Sequence, residues 1–175
     1  MLFNFTPFPM LKTSRLSLNS LTYYDLDVLF VLRADPDLNK YIKRRPPQSE
    51  KDIITFVDRI HQQIREGKSI NWRISLKEKD EMIGSICLWN FSDDGKIGEI
   101  GYDLLGDFHG RGIMTEAMKV ILDFGFSDLK LSRIDAYTHF NNKPSISLLQ
   151  KNGFVLNKDE FDEGNADNRI YSLRR

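Results

Sequence analysis

Apolar positions along this chain recur at spacings that switch between strand and helix. Arg15-Leu16-Ser17-Leu18 alternates polar and apolar, as a strand with one buried face does. Thr22, with Asp25 three residues on, reads as a capping box. The helix it opens would bury Leu26, Leu29, Phe30 and Leu32 and end near Asp35-Pro36. A short helical piece through Leu38 and Ile42 then meets Arg45-Pro46-Pro47, which must break it. Ser49 caps the next helix, where Ile53, Phe56, Val57, Ile60 and Ile64 share one face and Gly67 provides the C-terminal cap. Ile70, Trp72, Ile74 and Leu76 alternate strictly and predict a half-buried strand. Residues 77–81 turn it into a partner strand over 82–89. Ser92-Asp93-Asp94-Gly95 turns again into a fourth strand over 97–105.

The pattern then changes. Gly110-Arg111-Gly112 opens a strongly apolar helix running to about Leu129, and residues 133–138 return as a fifth strand. Asn142-Lys143-Pro144-Ser145 begins a last helix, closed by Asn152-Gly153. Residues 154–156 and 169–173 finish as two strands around an acidic loop. The expected class is α+β: a mixed, mostly antiparallel sheet of about seven strands flanked by helices. The link between the fourth and fifth strands is long enough for a right-handed parallel crossover. No repeat or linker divides residues 1–175, so one domain is expected.

Composition narrows the function. Twenty-five basic and 25 acidic residues cancel, leaving no footprint for nucleic acid or a membrane surface. The single cysteine, Cys87, excludes an internal disulfide and sits in an apolar stretch, as a buried structural thiol would. Three scattered histidines and that cysteine form no metal-ligand spacing, so no metal is expected. The opening Met1-Leu2-Phe3-Asn4-Phe5 lacks the basic region and cleavage site of a secretory leader, and no apolar run reaches the ~18 residues of a membrane span. The expected address is the cytoplasm.

The chemistry concentrates at Phe108-His109-Gly110-Arg111-Gly112-Ile113-Met114-Thr115, between a strand and a helix. Two glycines allow a sharp turn and a close approach of backbone to ligand. The helix start presents unpaired N–H groups and the positive end of its dipole, and Arg111 adds a cation, which suits a pyrophosphate. No Gly-Lys-Ser/Thr ending follows, and Thr115 stands where a dinucleotide fingerprint needs its third glycine. The turn therefore points to a phosphate loop of another class.

These residues resemble the GNAT superfamily of N-acetyltransferases, and within it the branch of the Rim-type ribosomal-protein N-terminal acetyltransferases. The family pattern Gln/Arg-x-x-Gly-x-Gly/Ala falls on His109-Gly110-Arg111-Gly112-Ile113-Met114, with His109 and Met114 departing from it at the two ends. Glu99-Ile100-Gly101-Tyr102 precedes the turn and Thr115-Glu116-Ala117 follows it, as in that branch. Asn142-x-x-Ser145-Ile146 with Gln150-Lys151-Asn152-Gly153-Phe154 is similar to the helix after the fifth strand, and Thr13-Ser14-Arg15-Leu16-Ser17-Leu18 to the opening strand. The likeness runs in order along almost the whole chain.

The resemblance implies that the fourth and fifth strands run parallel and splay around acetyl-CoA, with Gly101 at a bulge or close approach. It implies transfer of an acetyl group directly to a primary amine. The phosphates would be held by residues 109–115, that is His109, Gly110, Arg111, Gly112, Ile113, Met114 and Thr115. The pantetheine would be held by backbone around Asp103 and Leu104 and by Asn142. Glu99 would be the general base, and Ser145 would steady the thiolate, because the tyrosine common in the family would fall at Leu149. Trp89 and Tyr102 are candidates for the acceptor cleft, and Glu160, Asp162, Glu163 and Asp167 for an acidic lip that attracts a cation. The expected acceptor is a primary amine such as a protein N-terminus. A polyamine or antibiotic, or a catalytically idle acyl-CoA-binding domain, are the alternatives. A monomer or homodimer is expected.

Overall fold

The computed structural model describes residues 3–175; Met1 and Leu2, and with them part of the leader reading, lie outside the described residues. The elements run β1 (Leu11–Lys12), β2 (Leu16–Ser20), α1 (Leu26–Ala34), α2 (Glu50–Arg65), β3 (Ile70–Leu76), β4 (Lys79–Trp89) and β5 (Ile97–Leu104). They continue as α3 (Ile113–Ser127), β6 (Arg133–His139), α4 (Lys143–Lys151), β7 (Val155–Leu156) and β8 (Asn168–Arg174). All eight strands join one sheet in the order β1-β2-β3-β4-β5-β6-β8-β7, antiparallel except for β5 beside β6.

The sheet is covered on both faces. On one face Trp72, Ile74, Ile86, Leu88 and Ile100 pack against α3 and against Leu149 of α4. On the other, Met82 meets Leu29 and Leu32 of α1 and Ile53, Val57 and Ile60 of α2. Burial on this scale, at roughly 25 cal/mol per Å² of apolar surface, is what holds the helices to the sheet. Local signals set the helix starts. Thr22 and Asp25 close a capping box ahead of α1, Ser49 and Asp52 close one at α2, and Gly67 ends α2 at φ 69°.

Two expectations need correction, one strand is added to the expected set, and one open alternative is decided. Leu11–Lys12 adds an eighth strand by pairing with Leu18 and Ser17; two residues are too few to show a period. Residues 36–41 form turns rather than a helical piece, since Asn39 N bonds Asp35 O and Ile42 N bonds Asn39 O without a continuing ladder. β3 is buried on both faces, with Arg73 and Ser75 as well as its apolar residues inside, because α1 and α2 cover its polar side. Arg73 is admitted there by Asp25, whose Oδ1 accepts from its Nη1 at 2.9 Å, and by Asp80. Gly101 is not a bulge: β4 and β5 keep unbroken register from Gly84↔Leu104 to Trp89↔Glu99, and the register shifts lie at Ile74–Leu76. Gly101 is instead a close approach, since a Cβ there would stand 3.0 Å from Cys87 Sγ.

Candidate active site

The parallel pair is short. β5 and β6 are in register from Ile97↔Arg133 to Glu99↔Asp135. Beyond that point β5 stays with β4 as far as Leu104, and β6 stays with β8 as far as His139. Among the described residues, the facing edges of 100–104 and 136–139 therefore have no strand partner and bound a wedge-shaped gap. Backbone N–H and C=O groups on such an edge are free to pair with an extended ligand.

At one end of the gap lies the turn before α3. Gly110 and Gly112 both take left-handed φ, 72° and 71°, which favours glycine. A Cβ at Gly110 would meet nothing within 4 Å, and one at Gly112 would meet only Arg15 Nη2 at 3.7 Å, so the backbone faces open space. Gly112 is the N-cap and gives α3 no side-chain cap; the first helical bond runs from Glu116 N to Gly112 O. The N–H groups of Ile113, Met114 and Thr115 consequently have no helical acceptor. An uncapped, glycine-opened helix start of this kind fits a pyrophosphate. Ile113 and Met114 point their side chains into the core, so Met114, although it replaces a small residue, does not crowd the turn. The Arg111 guanidinium lies over the Phe108 ring at 5.5 Å. His109 folds back, its Nε2 sharing a 2.8 Å hydrogen bond with the Leu104 carbonyl, which ties the turn to the end of β5.

One brace of this turn is absent from the sequence reading. Glu116 Oε1 accepts from Thr13 Oγ1 (2.5 Å), Ser14 Oγ (2.9 Å) and Arg15 N (2.9 Å), and its Oε2 from Arg15 Nε (2.6 Å). Arg15 Nη1 then donates to the Arg111 carbonyl at 3.0 Å. These hydrogen bonds outweigh burial and hold the Glu116 carboxyl down at about 2. The opening strand is thus fastened to the turn about a hundred residues later, and the signal available was the likeness of Thr13–Leu18 and Thr115–Ala117 to the same branch.

At the other side of the gap, Asn142 caps α4 and accepts from Ser145 N at 3.3 Å. Ser145 Oγ accepts a 2.9 Å bond from Thr138 Oγ1 of β6 and shares another of 2.9 Å with the Tyr102 hydroxyl of β5. Three hydroxyls therefore span the gap from strand to helix to strand. Burial pushes the Tyr102 phenol up to about 12, so it stays protonated and able to donate. Asp103 points to the opposite face, its Oδ1 accepting from Ser85 Oγ at 2.6 Å.

Glu99 sits where the strands part, beside Trp89 on β4 and Asp135 on β6. Burial raises its carboxyl to about 7, against the opposing effect of Asn90 Nδ2, which donates at 3.3 Å; Asp135 and Asp162 raise it further. Trp89 and Tyr137 stand exposed on this face. Cys87 is held up at about 12 by burial and by Asp103, which keeps it a thiol. The acidic loop is more engaged than its composition suggests. Glu160 forms a two-pronged pair with Arg133 at 2.7 and 2.8 Å, Asp162 binds Asn168 Nδ2 at 2.7 Å, and Asp167 lies 3.8 Å from Lys43 Nζ. Among the described residues no group of three or more His, Cys, Asp or Glu is placed to hold a metal, and no helix is long and apolar enough to cross a membrane.

Comparison with known proteins agrees with this geometry. Residues 15–155 match the model of the acetyltransferase (GNAT) domain family. The uncharacterized N-acetyltransferase p20 of Bacillus licheniformis is 36% identical over 169 residues, covering 93% of this chain and 94% of that protein. The uncharacterized N-acetyltransferase YoaA of Bacillus subtilis is 29% identical over 171 residues, covering 95% and 97%. Among solved structures, RimL, a ribosomal-protein α-N-acetyltransferase in complex with coenzyme A, superposes with a TM-score of 0.81 at 19% identity, over 95% of this chain and 98% of its own. That likeness is one of fold. The family match and the relatives aligned along nearly their whole lengths carry the assignment: this chain belongs to the GNAT family and is an N-acetyltransferase.

Proposed function

We propose that the enzyme takes acetyl-CoA as donor and transfers its acetyl group in one step to a primary amine of a cytoplasmic substrate. The observation that carries this reading is the gap between β5 and β6, with an uncapped helix start at one end and a carboxyl raised to about 7 where the strands meet. The N–H groups of Ile113, Met114 and Thr115, with Arg111 beside them, hold the pyrophosphate, and Gly110 and Gly112 keep that approach open. The free edge of β5 around Asp103 pairs with pantetheine, and Asn142 supports it from α4. Leu104 contributes less than expected there, because its carbonyl already bonds His109.

Acetyl-CoA supplies an activated thioester; the chain's residues manage protons and charge. An ammonium has no lone pair, so Glu99 takes its proton, and a base with a pKa near the working pH does this best. The free edge of β5 offers N–H groups to the oxyanion that forms as nitrogen attacks the carbonyl carbon. As the carbon–sulfur bond breaks, the Ser145 hydroxyl donates a hydrogen bond to the departing thiolate, and the second proton shed by the attacking nitrogen ends on that sulfur, giving the amide and a free thiol. Thr138 already donates to Ser145 Oγ, and with the protonated Tyr102 hydroxyl donating to it as well, the Ser145 proton is left for the sulfur.

RimL is an α-N-acetyltransferase of a ribosomal protein, and on that ground a protein N-terminal α-amine is the acceptor to test first, with polyamines and amine antibiotics beside it. Release of free thiol from acetyl-CoA should rise severalfold or more with one acceptor class. Thiol release that no amine stimulates would remove the amine-transfer reading.

A further inference from the structure

A second concave site lies away from the gap, between α1 and α2. It is a cavity of about 360 Å³ lined by Arg33 of α1, Arg45 and the proline segment after it, and Asp52, Phe56 and Arg59 of α2. The Arg33 guanidinium stacks 3.9 Å from the centroid of the Phe56 ring, and that of Arg59 lies 5.5 Å from the same ring. Among the described residues, Arg33, Arg45 and Arg59 make no salt bridge. Half-buried Arg44 likewise makes no salt bridge, its guanidinium donating to Asn39 Oδ1 and the Leu32 carbonyl, whereas other arginines are paired. Arg15 is tied to Glu116, Arg73 to Asp25 and Asp80, and Arg133 to Asp135 and Glu160.

Asp52 is the one carboxylate lining this cavity, and it is already engaged, accepting from Gln48 N at 2.7 Å and Ser49 N at 3.1 Å at the start of α2. Three guanidiniums against one occupied carboxylate leave the cavity positive. Burial lowers the Arg33 guanidinium to about 10, and the neighbouring charges of Arg44 and Arg59 push the same way. It remains charged at neutral pH, half-buried between the exposed Arg45 and Arg59, with the charge of Asp103 opposing this shift but no ion pair of its own among the described residues. Bringing like charges together under partial burial is unfavourable unless an anion joins them. The planar fork of guanidinium matches an oxyanion's geometry, and Pro46-Pro47 stiffen the rim that carries Arg45.

We infer that this cavity is a binding site for an oxyanion, a phosphate or carboxylate group. It is separate from the pyrophosphate turn, because α1 and α2 pack on the sheet face opposite α3. Arg33 lies close enough to Asp103 on β5 to feel its charge, so the cavity shares the face that carries Glu99. The anion is carried either by the acceptor or by a separate effector, and kinetics separates the two.

The test is calorimetric titration of the whole protein with inorganic phosphate and with citrate, in the absence of acetyl-CoA. At least one anion should bind with one-to-one stoichiometry. Arg59→Gln, an exposed change, and Arg33→Gln should each weaken it roughly tenfold, the worth of one charge-assisted contact. Coenzyme A affinity should be unchanged in Arg59→Gln, which shows that the variant is folded. Binding of neither anion, or equal binding to the Arg33→Gln/Arg59→Gln double variant, overturns the site. Because binding is read without the donor, this result is independent of the acetyl-transfer reading. Phosphoethanolamine and ethanolamine then serve as paired acceptors. Competition by phosphate against the phosphorylated one assigns the cavity to the acceptor, and a rate change without competition assigns it to an effector.

Discussion

Burial acts on Glu99 and Tyr102 in the same direction and gives them opposite uses. On the proposed mechanism Glu99, raised to about 7, is the base and titrates within the working range, whereas Tyr102, raised to about 12, is a donor and does not titrate there. A base works deprotonated, so transfer should accelerate as pH rises through about 7. Glu99→Gln should lower turnover by about 10²-fold and remove that limb of the pH–rate profile, with acetyl-CoA affinity unchanged. A retained limb would assign it to the acceptor amine. The stability sign is also fixed. A carboxyl raised on folding contributes stability that is full below its unfolded value and is lost as pH rises through about 7. Glu99 and Ser145 could be nominated from the sequence because the resemblance names their positions. Thr138 and Tyr102 were not legible as partners of Ser145, because β6 and β5 reach α4 only in the folded chain.

At the scale of elements, the helix starts were the most readable features. The boxes at Thr22 and Ser49 are complete within four residues, and so were the turn glycines. Signals that depend on distant segments were missed, and the Arg15–Glu116 brace is the clearest case. Its effect is to fix the Arg111 carbonyl and with it the turn that precedes α3. Arg15→Gln should therefore weaken coenzyme A binding roughly tenfold and leave pantetheine, which lacks the pyrophosphate, unaffected. Arg15→Lys should restore little, since a single ammonium does not reproduce the fork that grips Glu116 and Arg111 together. Calorimetry with the two ligands decides it, and equal losses for both would make the brace a general packing feature. The same distance dependence explains Arg73 and Ser75. Their polarity predicted a solvent face, and helices from earlier in the chain cover it.

For the whole molecule, the order of elements gave the α+β class and the parallel crossover, because hairpins followed by strand–helix–strand leave few other arrangements. The gap itself had no signature beyond the resemblance, since period and polarity do not reveal where two strands stop pairing. It divides the sheet into two leaves, β1 to β5 and β6 to β8 with β7, hinged at the pairs from Ile97↔Arg133 to Glu99↔Asp135. Beyond those three residue pairs the strands are tied, among the described residues, only through side chains, by the Tyr102–Ser145–Thr138 hydroxyl bridge and the packing of α3. On the proposed mode of binding, a donor laid between the leaves adds to these ties and would also be a mechanical part of the fold. Amide exchange at residues 100–104 and 136–139 should slow with coenzyme A far more than exchange in β3, beyond the uniform gain of about 2.7 kcal/mol expected at a hundredfold excess over Kd. Uniform slowing would mean that the leaves already move as one.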